Sequence, residues 1–302
     1  MGIGKYIKEI GRGREGARAL TREQATDLFG QVLDGEITDL EIGAFCLAMR
    51  IKGETPDEMA GFLDATHARL SRVPDSGAKP IVVIPSYNGA RKLPALTPLL
   101  ALLLAREGLP VLVHGTATES TRVYTSTVVA ALSIKSLNAI EPIADGEVAF
   151  IPTQVLCPGL QRLLDVRRVV NLRNSGHSVV KLMNPCVGKS LLISSYTHPE
   201  YALSMAATFE LMQINAMLLR GTEGESVADA RRMPQMDGFV RGEKLLLQEG
   251  QSGTLASLPG LPKEFDADTT ATYIRDVMAG TSAVPPSIAK QVEHILRLSR
   301  QL

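Results

Sequence analysis

The sequence predicts an α/β protein with a small N-terminal helical domain and a larger α/β domain built on a mostly parallel central sheet. Two observations carry this. Three helix-capping boxes follow one another between residues 21 and 58. Beyond Pro74-Asp75-Ser76-Gly77 the pattern changes to short β-rich runs alternating with helices, as strands joined by helical crossovers require. Thr21 with Gln24, Thr38 with Glu41 and Thr55 with Glu58 each match the box that satisfies free N–H groups at a helix start. Pro56 suits a first helical position, and Gly35 and Gly53 fit the stops of the two preceding helices. The strand runs are Ile81–Ile84, Val111–His114, Val148–Ile151, Leu191–Ser194 and Ala216–Leu219. Met205, Phe209 and Met212, spaced i, i+4 and i+7, form a core-facing stripe on a late helix.

A chain of 302 residues with 45% apolar content can bury a sizeable core. Its net charge is zero, which argues against a globally basic coat, but the charge is segregated. Residues 5–22 carry Lys5, Lys8, Arg12, Arg14, Arg18 and Arg22 against Glu9 and Glu15, while residues 23–64 carry ten acids against Arg50 and Lys52. Three widely spaced cysteines, Cys46, Cys157 and Cys186, in apolar company fit a reduced, cytoplasmic interior. The N-terminus is too polar for a secretory signal. The longest apolar stretch, Leu93 to Ala105, holds two prolines and is too short to span a bilayer. His177 and His198 lack metal spacing, so no zinc site is expected.

The most informative segment is 85–98, between the first strand run and a leucine-rich helix, where an α/β enzyme places its phosphate loop. Such a loop holds an anion with backbone N–H groups, and glycines let that backbone come close. Here only Gly89 is present, beside Pro85, Pro94 and Pro98, which have no N–H. The scaffold of a phosphate site is kept while its chemistry is rewritten.

Leu40 to Gly61, with Ile42-Gly43-Ala44-Phe45 and Ala48-Met49-Arg50-Ile51-Lys52-Gly53-Glu54-Thr55, resembles the helical-domain signature of anthranilate phosphoribosyltransferases. Val166-Arg167-Arg168 to Asn184-Pro185 continues the resemblance without gaps. The resemblance implies an anthranilate phosphoribosyltransferase-like fold: a helical domain of residues 1–76 joined by helices from about 160–188, an α/β domain of 77–302, a cleft between them and a homodimer. The departures are as informative. The family's loop G-T-G-G-D-G falls on Pro85, Ser86, Tyr87, Asn88, Gly89 and Ala90, where Tyr87 would block backbone approach. Its N-I-S-T falls on Ala95 to Pro98, its K-H-G-N-R on Val113 to Ala117, and its magnesium-binding Asp-Glu pair on about Ser226 and Val227, with Glu223 and Glu225 nearby. Magnesium needs carboxylates together with substrate phosphates. The string Ile84 to Lys92, with Leu96 to Leu100, Val113-His114-Gly115, Arg173 to His177, Ser195 to Tyr201 and Gly221 to Glu225, is similar to the YbiB-type subfamily. That similarity implies a dimer without phosphoribosyl transfer that binds nucleic acid with little sequence preference.

The residues permit this reading. Three basic groups are candidates for a nucleic-acid backbone: Arg12, Arg14 and Arg18; Arg91 and Lys92; and Arg162, Arg167, Arg168, Arg173 and Lys181. Residues 162–181 hold five cations against Asp165 alone. Phosphate contacts of that kind are salt-dependent and carry no sequence information. Aromatic content of 4% argues against base stacking as the main force. On charge alone such runs are more often solvated surface, and Lys52 and Arg50 are expected to pair with neighbouring acids. His114, ending a strand, reads as structural or ligand-holding, since no proton-transfer partner is apparent in the sequence. No catalytic residue, metal or cofactor is assigned. The expected partners are nucleic acid, DNA with RNA as a further candidate, and a second copy of the chain, with no membrane. The alternative is a phosphoribosyltransferase or phosphorylase in which Ser86, Asn88, Gly89, Arg91, His114, Gly115 and Thr116 hold a smaller phosphorylated ligand. A weaker third reading is a dimeric scaffold for a protein partner.

Overall fold

The computed structural model describes residues 2–75, 77–253 and 260–302, and the Arg14 side chain lies outside what it describes. The chain opens with α1 (Gly4–Ile10), α2 (Gly13–Gly16), α3 (Arg22–Asp34), α4 (Asp39–Lys52) and α5 (Pro56–His67). It continues through β1 (Ile81–Ser86), α6 (Thr97–Arg106), β2 (Val111–Gly115), α7 (Thr125–Ala131), β3 (Lys135–Ser136) and β4 (Val148–Pro152). Next come α8 (Thr153–Leu156), α9 (Pro158–Val170), α10 (Gly176–Leu182), β5 (Ser190–Ser195), α11 (Pro199–Leu211) and β6 (Ala216–Leu219). The last elements are β7 (Met236–Val240), β8 (Glu243–Gln248), α12 (Ala267–Ala279) and α13 (Pro286–Ser299). The chain divides into a helical unit, Met1–Ser71 with Thr153–Pro185, and an α/β unit, Arg72–Pro152 with Cys186–Leu302.

In the helical unit all three capping boxes close in both directions, at Thr21/Gln24, Thr38/Glu41 and Thr55/Glu58. Gly35 and Gly53 stop α3 and α4 at positive φ of 76° and 79°, which a residue with a Cβ adopts only at a cost. The core of this unit is aromatic. Phe29 stacks on Phe62 at 4.5 Å, and Phe45 meets both edge-on at 6.2 and 6.0 Å. The basic N-terminal segment is anchored: Ile3, Tyr6 and Ile10 are buried along one face of α1.

Helices α3 and α5 approach through Gly61. A Cβ there would sit 2.4 Å from the Arg22 carbonyl oxygen and 2.7 Å from the Ala25 Cβ. Backbone cannot yield as a side-chain tip can, so Gly61→Ala should cost about 1–3 kcal/mol by overpacking. A urea midpoint unchanged from the parent would contradict that close approach.

In the α/β unit one eight-stranded sheet has the order β3-β4-β2-β1-β5-β6-β7-β8. Pairings from β3 to β6 are parallel, and β7 and β8 add an antiparallel edge. All five apolar runs read from the sequence lie within strands. Their residues are buried almost throughout, as expected where helices cover both faces. From β1 the chain moves by α6 to β2 on one side, whereas from β5 it moves by α11 to β6 on the other. The connections therefore reverse between β1 and β5, and the crevice that reversal opens lies at the carboxyl ends of the strands.

Candidate phosphate-loop site and basic surface

Segment 85–98 leaves the carboxyl end of β1 and enters α6, as the sequence indicates. The residues it brings together differ from the expectation in one decisive respect. Its N–H groups are not removed by the prolines. Those of Asn88, Gly89, Arg91, Lys92 and Leu93 all point at carboxylate oxygens from 221–225, the turn that follows β6.

Glu225 enters the first cluster. Its Oε1 accepts from the Asn88 N–H at 2.6 Å and the Gly89 N–H at 2.8 Å. Its Oε2 accepts from the Ser86 hydroxyl and from Thr97 Oγ1 at 3.3 Å, the latter at the start of α6. Glu225 is buried. A carboxylate with four donors, two of them backbone, is bound as a phosphate oxygen would be. Glu223 enters a second cluster, where Oε2 accepts from the N–H groups of Arg91 at 2.8 Å, Lys92 at 3.2 Å and Leu93 at 3.4 Å.

The turn is shaped to deliver both side chains. Glu223 has φ 51° and ψ 22°, a left-handed conformation uncommon outside glycine. Gly224 follows at φ 87°, and a Cβ there would lie 1.8 Å from Asn88 Nδ2. Ser195 Oγ, at the end of β5, donates to the Gly224 carbonyl at 2.7 Å. The stem is fastened by buried Gln291, which accepts from the Ala228 N–H at 2.8 Å and donates to the Ser226 carbonyl at 2.8 Å. The space left beside Gly89, Pro94, Leu96, Glu223 and Glu225 is a cavity of about 10 Å³, room for one water and no more.

The other residues assigned to this pocket divide. Arg91 and Lys92 are exposed and give the pocket backbone N–H groups. Gly115 lets β2 close on β1, since a Cβ would stand 2.1 Å from the Ser86 carbonyl oxygen. Thr116 is half-buried. His114 is fully buried, and its Nδ1 lies 2.8 Å from the Tyr87 hydroxyl. Burial pushes its pKa down to about 3, which keeps the ring neutral. Tyr87 is buried against it, so the element standing at the N–H groups is a carboxylate and not the Tyr87 ring. Sequence reasoning placed Glu225 only near a metal position. The one local signal for its role was a glycine-bracketed turn carrying two acids.

In the helical unit, α9 and α10 carry the largest basic group. Arg168 is exposed and pairs with Asp165 at 3.0 Å, while Arg167, Arg173 and Lys181 are half-buried. Arg162 is committed to structure: Nη2 donates to the Leu33 carbonyl at 2.7 Å. Within this group His177 is buried, with Nδ1 against Asn174 and Nε2 without a hydrogen-bond partner. Its pKa falls to about 3, first through burial and then through the charges of Arg173, Arg167 and Lys181. The three cations add to a shift that burial dominates. Val169, Val170 and Leu172 stand exposed between them. Arg12 and Arg18 both pair with Glu9, at 2.8 and 3.9 Å.

Among the described residues no group of three or more His, Cys, Asp or Glu is placed to hold a metal ion. No described helix is long and apolar enough to cross a membrane.

Residues 5–69 match the glycosyl transferase family, helical bundle domain. The uncharacterized protein YbiB of Escherichia coli (strain K12) is 40% identical over 298 residues, covering 97% of this chain and 92% of that one. An anthranilate phosphoribosyltransferase of Idiomarina loihiensis is 28% identical over 304 residues, covering 94% and 86%. Among solved structures, anthranilate phosphoribosyltransferase from Thermus thermophilus superposes with a TM-score of 0.71 at 20% identity, covering 95% of this chain and 85% of that one. The enzyme from Saccharomyces cerevisiae in complex with PRPP and Mg does so with a TM-score of 0.71 at 14% identity, covering 98% and 88%. These two likenesses establish the fold: a small helical domain with a larger, mostly parallel α/β domain.

Proposed function

The chain belongs to the family of YbiB, among the homologues of anthranilate phosphoribosyltransferase, and on that premise we propose that it binds nucleic acid without sequence preference and does not transfer phosphoribosyl groups. The observation that carries the second half is Glu225 inside the N–H cradle after β1. A diphosphate brought to those donors meets an anion already bonded to them and about 10 Å³ of space. Transfer needs fixed donors and metal to stabilise the departing pyrophosphate, and here the donors are engaged.

The first half is supported by the cation cluster of α9, α10 and the link between them, Arg167, Arg168, Arg173 and Lys181. Phosphodiester oxygens are the ligand such a surface attracts, and each contact displaces condensed counterions. Arg167→Glu with Lys181→Glu should weaken duplex DNA of any sequence alike and lower the salt slope by about 0.9 per lost contact, or about 0.7 on single strands. Labelled-oligonucleotide binding across a salt series measures both. Unchanged affinity and slope would remove this surface from consideration. Charge reversal at Arg12 and Arg18 tests the Glu9-paired cations in the same way, with a smaller effect expected.

A second reading has direct support from the relatives that bear the name anthranilate phosphoribosyltransferase: a phosphoribosyl transferase or phosphorylase with an altered phosphate site. In that reading Glu225 leaves the cradle when substrate arrives. Magnesium-dependent pyrophosphate release from phosphoribosyl diphosphate with anthranilate, at an ordinary enzymatic rate, would decide for it against the first.

The same proposal includes a homodimer. Leu40, Leu47 and Ile51 are exposed along one face of α4, with Gly43 and Ala44 between them, in the segment whose likeness to the family implies a two-fold mate. Light scattering at micromolar concentration should give twice the chain mass, and a monomer would remove this part.

A further inference from the structure

We propose that the 221–225 turn is an autoinhibitory contact: Glu223 and Glu225 are internal substitutes for an anionic group, and withdrawing them opens a latent site for a diphosphate. The inference deepens the reading that Glu225 keeps the cradle closed, and rests on it.

Three independent features point to a replaceable occupant and not merely to a structural hydrogen bond. The first is the donor set. Five backbone N–H groups from a segment of six residues, 88–93, converge on two carboxylates 130 to 137 positions away in sequence. Two hydroxyls, from Ser86 and Thr97, join them at Glu225. Clustered N–H groups at a strand-to-helix turn are a general anion-binding device. Two clusters separated by one residue, each satisfied by its own carboxylate, match a ligand with two linked anionic centres.

The second is a donor left over. Asn88 is 3% exposed, and its Nδ2 has no hydrogen-bond partner although it faces the turn at Gly224. A buried amide without an acceptor is costly, and a phosphate oxygen replacing the turn would supply one. The carboxylates thus satisfy the backbone of the cradle but leave this side-chain amide unmet.

The third is the mechanics of the turn. Its stem is fixed through Gln291, but its tip holds Glu223 at φ 51° and Gly224 at φ 87°. Left-handed backbone at a non-glycine residue persists only where surrounding contacts impose it. The contacts that impose it are those of the two carboxylates with the cradle, of Ser195 with the Gly224 carbonyl, and the turn's own bonds, in which the Glu225 N–H donates to the Thr222 carbonyl at 2.8 Å and the Gly224 N–H to the Gly221 carbonyl at 3.4 Å. Losing the first set leaves the strained tip held only by Ser195 and by the turn's own bonds, while the stem stays in place. Arg122 then stands beside the opened site, and exposed Arg91 and Lys92 belong to the donor segment itself. Arg122 already donates to the Asn88 carbonyl at 3.0 Å.

The test is calorimetry with inorganic pyrophosphate, without metal, on the wild-type chain and two variants made by different routes. Glu223→Ala with Glu225→Ala removes the internal anions. Gly224→Ala keeps both acids and strains the tip, because a Cβ at φ 87° is unfavourable and would lie 1.8 Å from Nδ2 of Asn88, so that the tip or the Asn88 amide must shift. Both should bind pyrophosphate at least tenfold tighter than wild type, and pyrophosphate should raise their melting temperatures while leaving that of wild type unmoved. Oligonucleotide affinity and salt slope should equal wild type in both. If the folded variants gain no pyrophosphate affinity, or wild type binds it as tightly as they do, the autoinhibitory contact is refuted whether or not nucleic acid is bound. If they gain it while oligonucleotide binding is absent from all three proteins, the contact stands and the nucleic-acid reading falls.

Discussion

Replacing Glu58 by alanine should destabilise the protein by about 3–5 kcal/mol, more than any other single substitution in the helical unit outside its aromatic core. Glu58 is fully buried at the third position of α5 and serves three partners at once. Its Oε2 takes the Thr55 N–H at 2.9 Å, which closes the capping box, and the Lys52 ammonium at 2.5 Å. Its Oε1 takes the Leu20 N–H at 2.9 Å. The Lys52 side chain is only 8% exposed. Truncation therefore leaves the buried ammonium without this counter-charge, with a bond remaining to the Gly53 carbonyl at 2.9 Å, and strands two N–H groups, and uncompensated polar groups cost more than their bonds contribute. Glu58→Gln keeps acceptors for the N–H groups but not the charge, so it should lose less. Lys52→Met with Glu58→Met should recover much of the loss, because no unpaired charge remains. Urea midpoints of the four proteins measure this, and a loss below about 1 kcal/mol for Glu58→Ala would mean that the pair is open in solution.

The capping boxes, the helix stops and the five central strands were legible because each depends on a few adjacent residues. Thr55, Pro56 and Glu58 state a helix start within four positions, and Val82, Leu112 and Leu191 lie in apolar runs that only a doubly covered sheet requires. The antiparallel edge was not legible. Met236 to Val240 holds Asp237 and Gly238, Glu243 to Gln248 shows no strict alternation, and the Arg241-Gly242 link between them is a weak turn signal despite the positive φ of both residues. The buried face of α1 was hidden by the charge around it, although Ile3, Tyr6 and Ile10 recur at near-helical spacing.

At the site, the position of the loop after β1 was readable and its occupant was not. Pairing Asn88 with Glu225 is a tertiary event across 137 positions, and no local pattern encodes which acid reaches which N–H. The same holds for the surroundings of buried His177. The charges of Arg167, Arg173 and Lys181 are visible in sequence, but their convergence on one buried ring depends on how α9 and α10 meet. Conversely, the prolines of segment 85–98 suggested a loop poor in donors, whereas the residues between them supply all five N–H groups used.

Stability should fall as pH drops from 6.5 toward 5, through the two histidines that burial keeps neutral. His114 and His177 are both pushed down to about 3 in the folded chain, while an unfolded histidine titrates near 6.5. Between those values the unfolded state binds a proton that the folded state refuses. Stability then decreases as pH falls, by about 1.4 kcal/mol per pH unit for each group well below 6.5. At pH 5 the loss approaches 2 kcal/mol per histidine, or about 4 kcal/mol for both. His294, also shifted down by burial, adds in the same direction. The carboxylates held below their usual range, Asp34 by Arg69 and Glu41 by the Thr38 N–H and hydroxyl, lose their contribution only at lower pH, near and below the unfolded carboxylate values. Glu54, whose carboxyl pKa is pushed up by burial, acts in the opposite direction as pH falls, so the histidine substitutions, compared with the parent, are what isolate the imidazoles. His114→Gln and His177→Gln should each lower stability at pH 7.5, through lost packing and, at His114, the lost Tyr87 contact, yet each should flatten the pH slope by about one proton. Urea unfolding at pH 7.5, 6.5, 5.7 and 5.0 gives that slope directly. A slope left unchanged by both substitutions would mean that both rings reach water in solution and accept the proton without unfolding.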